Sequence, residues 1–152
     1  MTATRTRTLR LELPVADYLR ARQHHDDIRR EFALIALRAE EPASADVPRR
    51  LLQLTDELRA HYGAPRDRLA EAVEEARSRG ESTAAVDLQV PLELADKAVA
   101  WLALVEEADA YCRAGDLLTL ESPPDVVRLR QWLVAEIVGQ LREGRPSRPY
   151  PG

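Results

Sequence analysis

Side chains able to do chemistry crowd most closely in "RQHHDDIRRE", residues 22–31. Helical spacing sets His24, Asp27 and Glu31 at i, i+3 and i+7 on one face, and an imidazole with two carboxylates is half of a divalent-metal site. The other half is missing. Besides His25 the only further histidine is His61, and neither H-x-x-x-H nor E-x-x-H occurs. The face therefore reads as solvated, with no metal expected. His25 falls in the apolar stripe of the same helix and reads as a partly buried, hydrogen-bonded side chain. Cys112, the single cysteine, closes an apolar stripe and reads as a small buried hydrophobe, since a nucleophile would need a base brought to it by the fold. Trp101 and Trp132 lie within apolar runs and read as core or interface anchors. The six glycines are scattered, without a P-loop or G-x-G-x-x-G. No catalytic, cofactor-binding or metal-binding residue is expected.

The elements that must position these groups are mostly helical. A first helix is predicted from Val15 to Glu40, with Tyr18, Ala21, His25, Ile28, Phe32, Ile35 and Ala39 along one stripe. Near Pro42 it stops. Asp46 is placed to cap a second helix with the stripe Val47, Leu51, Leu54, Leu58 and Tyr62, and Gly63 to end it in a left-handed conformation. A third runs from Pro65 to Gly80, largely charged and therefore peripheral. The fourth carries Leu94, Ala98, Trp101, Val105, Ala108 and Cys112 and ends at Gly115. Ser122 and Asp125 match a capping box for the fifth, with Pro123 at its first helical position. That helix is apolar on two stripes, through Leu129 and Leu133 and through Val134 and Leu141, which predicts the most enclosed position.

Two segments break the helical period. Leu9, Leu11 and Leu13 alternate with Arg10 and Glu12 before Pro14, and Val86, Leu88 and Val90 alternate with Asp87 and Gln89 before Pro91. Each has one apolar face and each proline leads into a helix. The two strands, residues 8–13 and 85–90, are expected to pair, parallel or antiparallel, with the apolar face on the helices. A two-stranded ribbon is marginal alone and leaves open edges, so it either caps the bundle or adds strands across an interface. The expected architecture is mainly α: about five helices, bundle-like, with a small two-stranded element. Residues 1–7 form a disordered arm, 8–143 one domain, and the Pro-rich 144–152 a disordered tail.

A chain of 152 residues with a net charge of −4 suits one domain. Three arginines lie in residues 1–10, whereas residues 81–121 hold nine acids against Lys97 and Arg113. Such a field disfavours nucleic acid there. No run approaches a membrane span and one cysteine suits a reducing compartment, so a cytoplasmic protein is expected.

The runs "REFALIAL", "RRLLQLTDELRAHYG" and "EADAYCRAGDLLTLESPPDVVRLRQWLVAEIVGQL" resemble segments of small actinobacterial helical proteins found with anti-sigma and ATP-binding partner-switching regulators. The resemblance implies a non-catalytic regulatory protein in bacterial signalling. The E-x-x-x-N and D-x-G-x-G elements of an ATP-binding kinase are missing. On this reading the partner is another protein, or a second copy in a homodimer, and the contacts fall on Leu9, Arg10, Leu11, Glu12, Asp87, Leu88, Gln89, Arg113 and Asp116. The alternative is an enzyme or small-ligand binder with a pocket between helices, using Arg113, Asp116, His24 or Glu31.

Overall fold

Two prolines set where strand gives way to helix. In a computed structural model, which describes residues 5–40, 45–115 and 121–151, β1 (Thr6–Pro14) runs directly into α1 (Val15–Arg38). After it come α2 (Asp46–His61), α3 (Gly63–Ser78), β2 (Thr83–Pro91), α4 (Leu94–Ala114) and α5 (Pro124–Glu143). The protein is mainly α with a small β element. Proline has no N–H to give a ladder and its fixed φ suits a helix start, so Pro14 ends one period and admits the next.

The strands pair antiparallel, with Leu9 opposite Leu88, Arg10 opposite Asp87 and Leu11 opposite Val86. The ribbon's ends show how the chain returns. Val15 N–H donates to the Ser82 carbonyl at 2.9 Å and Leu92 N–H to the Arg5 carbonyl at 2.9 Å, so the exit of β1 lies beside the entrance of β2. Consequently α1 and α4 leave from opposite ends. Gly80, at φ 71, makes the reversal from α3, a left-handed conformation that a Cβ would oppose. Thr6 and Arg7, expected in a disordered arm, belong to β1.

Burial alternates as the period demands. Leu9, Leu11, Leu13, Val86, Leu88 and Val90 face inward and pack with Val126, Leu129 and Leu141 of α5. A second cluster joins α1, α2 and α4 around Ile28, Phe32, Leu51, Val105 and Cys112. α3 presents Val73 and Ala76 to Val15 and Ala84.

Three local expectations need correction. Gly63 does not end α2 in a left-handed turn: Tyr62, at φ −127 and ψ 30, makes the bend, and Gly63 opens α3. Asp46 pairs with Arg50 at 3.0 Å instead of capping α2. Ser122 and Asp125 form no capping box, because α5 starts at Pro124 after Pro123. Ser122 turns inward and Asp125 holds Arg20 at 3.0 Å.

The segment after Gly144, expected to be disordered, is extended and stapled to α5. Buried Glu136 accepts from Arg145 Nη1 at 3.0 Å and from Arg148 N–H at 3.2 Å, and Tyr150 meets Trp132 edge-on at 5.3 Å. Gly139 makes room for this staple. A Cβ there would sit 2.2 Å from Arg145 Nη2.

Candidate functional site

The inward faces of the ribbon and of α1, α2, α4 and α5 do not close on one another. Between them lies a cavity of about 350 Å³. Leu9, Leu11, Leu13, Leu88 and Val90 make its floor, Leu129, Leu133 and Ile137 of α5 and Ala98 and Trp101 of α4 its walls, and Ala21, His25 and Ile28 the α1 side. The lining is apolar apart from one sector, where α1, α2 and α3 contribute Arg22, Asp26, Arg29, Arg59 and Arg66. Arg130 reaches the wall from α5.

Arg130 anchors a buried polar knot behind that wall. Its side chain is 2% exposed and Asp109 on α4 is 8% exposed, and the two form an ion pair. Arg130 Nη1 donates to Ser122 Oγ at 2.7 Å. Ser122 in turn donates its O–H (2.8 Å) and its N–H (3.0 Å) to Asp109 Oδ1. His24 Nε2 lies 3.0 Å from the same hydroxyl. The serine's one proton is committed to Asp109, so His24 Nε2 must donate to Oγ. Burial opposes the Asp109 charge, but the donors from Arg130 and Ser122 outweigh it and hold the carboxyl below its usual range. Although serine, histidine and aspartate meet here, the arrangement is wrong for nucleophilic catalysis. The hydroxyl proton goes to the carboxylate and not to an imidazole, and the oxygen's lone pairs face two donors. The knot instead ties α1, α4 and the start of α5 together.

His25 stands beside it, with its ring edge-on to Trp101 at 5.3 Å and 5.9 Å from His24. Its Nε2 is shielded and has no hydrogen-bond partner, contrary to the expected bonded core histidine. Desolvation, with His24 and Arg130 nearby and Asp109 only partly compensating, pushes its pKa down to about 4. Burial also lowers His24. Both imidazoles fold neutral, so the unfolded chain binds more protons between the ordinary value of 6.5 and about 4. Stability should therefore be full above pH 6.5 and fall as pH drops towards 4. His25→Phe, which keeps the ring on Trp101, should flatten that part of a denaturation-midpoint profile, and an unchanged slope would refute the assignment.

The residues expected to bind a partner separate into two groups. Leu9, Leu11 and Leu88 are 1%, 2% and 6% exposed and face the cavity, so they are unavailable to a second protein. Arg10, Glu12, Asp87 and Gln89 lie on the outer face: Arg10 bridges to Asp87 at 3.1 Å and to Glu12 at 3.6 Å, and Gln89 donates to Thr8 Oγ1. Arg113 pairs with Glu121 at 2.6 Å, and Asp116 lies outside the described residues. Neither Arg113, His24 nor Glu31 lines the cavity, so the polar groups expected for a ligand pocket are replaced by His25, Arg29, Arg59 and Arg130. Asp27 is held by Gln23 at 2.9 Å, and no metal-holding group of His, Cys, Asp or Glu occurs among the described residues. Cys112 is fully buried and burial pushes its thiol up to about 11. Trp132 packs under Tyr150, whereas Trp101 is a cavity wall.

No family model, curated protein or solved structure matches the chain. No helix among the described residues is long and apolar enough to cross a membrane.

Proposed function

We propose that this protein is a non-catalytic binding protein that encloses a small, largely apolar molecule between its helices and its ribbon. The observation that carries the reading is the cavity of about 350 Å³, central and lined by leucines, Trp101 and Ile137. Protein interiors pack like organic crystals, and voids larger than a water are few. Apolar side chains that face such a space lack partner atoms on one side and forfeit packing contacts. Its size also falls in the range of small-molecule sites, about 300–1,000 Å³. Binding replaces the missing contacts.

A ligand that binds only the folded chain stabilises it by mass action, about 2.7 kcal/mol at a hundredfold excess over Kd. For a domain of this length the unfolding temperature should rise by roughly 5–10 °C. A thermal-shift screen of C8–C12 amphiphiles, read together with Trp101 fluorescence, should find such ligands. Ala98→Phe fills the cavity from α4 and should remain folded while losing the shift. No stabilising ligand in the screen, or an undiminished shift in Ala98→Phe, would sink the reading.

A second reading, regulation through protein contacts in a bacterial partner-switching pathway of the cytoplasm, has one supporting observation. Gln140 caps β1 by accepting from Arg10 N–H at 3.0 Å and donating to its carbonyl at 2.8 Å, and Ser147 adds a third bond there at 3.1 Å. No comparable cap lies on β2 among the described residues. Its outer edge is the place where a second copy or a partner strand would add.

A further inference from the structure

Resting on that binding reading, we propose that the ligand is an amphiphile with an anionic head, its apolar body in the ribbon-floored cavity and its head held by arginines of α1 and α2. Two independent observations on the lining carry this.

The first is charge. The protein has a net charge of −4, yet the charged residues lining the cavity are Arg22, Arg29, Arg59, Arg66 and Arg130 against Asp26. Asp26 lies 3.9 Å from Arg59, and Asp109 neutralises Arg130 from behind. Arg22, Arg29 and Arg66 have no ion-pair partner among the described residues. A local cationic surplus on an acidic protein sets a field that draws anions to this mouth.

The second is unspent donors. Arg29 Nη1 and Arg59 Nε are shielded from solvent without a hydrogen-bond partner, as are His25 Nε2 and Arg130 Nε. All four residues line the one cavity. Most buried polar groups are bonded, and a shielded N–H left unmade carries a desolvation penalty. An anionic head in this sector meets the guanidiniums of Arg29 on α1 and Arg59 on α2. Guanidinium forks suit carboxylate and phosphate oxygens, whereas an ammonium head would meet like charge. The apolar remainder limits the rest of the molecule to hydrocarbon or aromatic surface.

The test compares four probes with the same ten-carbon chain: decanoate, decyl phosphate, 1-decanol and decyltrimethylammonium, titrated at pH 7.5 into the full chain and followed by calorimetry. An anionic head should bind about ten- to a hundredfold more tightly than the alcohol, the range expected for one or two charge-assisted hydrogen bonds. Arg29→Gln and Arg59→Gln should each reduce that ratio several-fold while leaving decanol affinity and the unliganded melting temperature nearly unchanged. Whether decanoate or decyl phosphate binds more tightly identifies the head, and either order supports the proposal. Decanol binding as tightly as both anions, or the ammonium binding best, would overturn it and leave the cavity reading intact. If none of the four binds, the cavity reading falls first and this inference with it.

Discussion

Arg130→Met should be among the most damaging single substitutions in the chain, lowering stability by about 3–5 kcal/mol and the melting temperature by about 10 °C. The cause is what it leaves behind. Asp109 would stay almost wholly enclosed with only Ser122 as a donor, and Ser122 would lose the guanidinium that fixes its hydroxyl. The pH dependence gives a second readout. In the native chain the folded Asp109 pKa lies below its ordinary 3.8, so its contribution is present above that value and is lost as pH falls through the folded value. Without Arg130 the upward push of burial is opposed by Ser122 alone, and the folded pKa rises. The deficit should therefore be largest at neutral pH and shrink below about pH 4 as the carboxyl protonates. Asp109→Leu combined with Arg130→Met should recover much of the loss, since an apolar pair of similar volume is often no worse than a buried ion pair. Urea denaturation of the two single variants and the double variant decides it. An additive double variant would show that the two side chains do not act as a pair.

The knot also marks where sequence reasoning stops. Helix positions were legible because period and proline placement are local, and the strand pair was legible because one pattern occurs twice and each copy needs cover. Asp109 counts among the nine acids of residues 81–121, although it lies four residues after Val105 and three before Cys112, on the buried stripe of α4. Arg130 likewise sits four residues from both Val126 and Val134, and Gln140 three from Ile137, along the enclosed side of α5. A charge on an apolar stripe was the available signal. Its partner was not: Ser122 meets His24 across 98 positions and Gln140 meets Arg10 across 130. Periodicity tells which side of an element turns inward, not what it meets there or whether the meeting leaves space. For the same reason His25 was placed correctly on the inner face of α1 while the cavity beside it was invisible. Ser122 shows the converse error: its local sequence suits a cap, and a stronger buried acceptor and donor draw it away.

Removing residues 145–152 should cost about 3.5–7.5 kcal/mol and make the chain more prone to self-associate. The segment matches P-x-x-P and has the proline content of a linker, which is why its sequence suggests disorder. Composition says nothing of Glu136, whose carboxylate is 3% exposed beneath the segment and held below its ordinary pKa by Gln140, Arg148 N–H and Arg145 against the upward push of burial. Truncation deletes two of those three donors, each charge-assisted bond contributing about 1.5–3 kcal/mol, and with them the Trp132–Tyr150 contact at roughly 0.5–1.5 kcal/mol. It also strips Ser147 from the Arg10 carbonyl, so β1 would keep Gln140 as its only cap at that position among the described residues. With no comparable cap on β2 among the described residues, the truncated chain would add a less protected β1 edge to the place where strands can join. Light scattering should show a monomer or dimer for the full chain and a concentration-dependent rise in mass for the truncated one. Gln140→Leu in the full chain should reproduce part of that rise with the tail still stapled by Arg145. If the truncated chain melts at the same temperature and keeps the same mass, Glu136 does not depend on the segment above it, and the stapling of the tail to α5 is wrong.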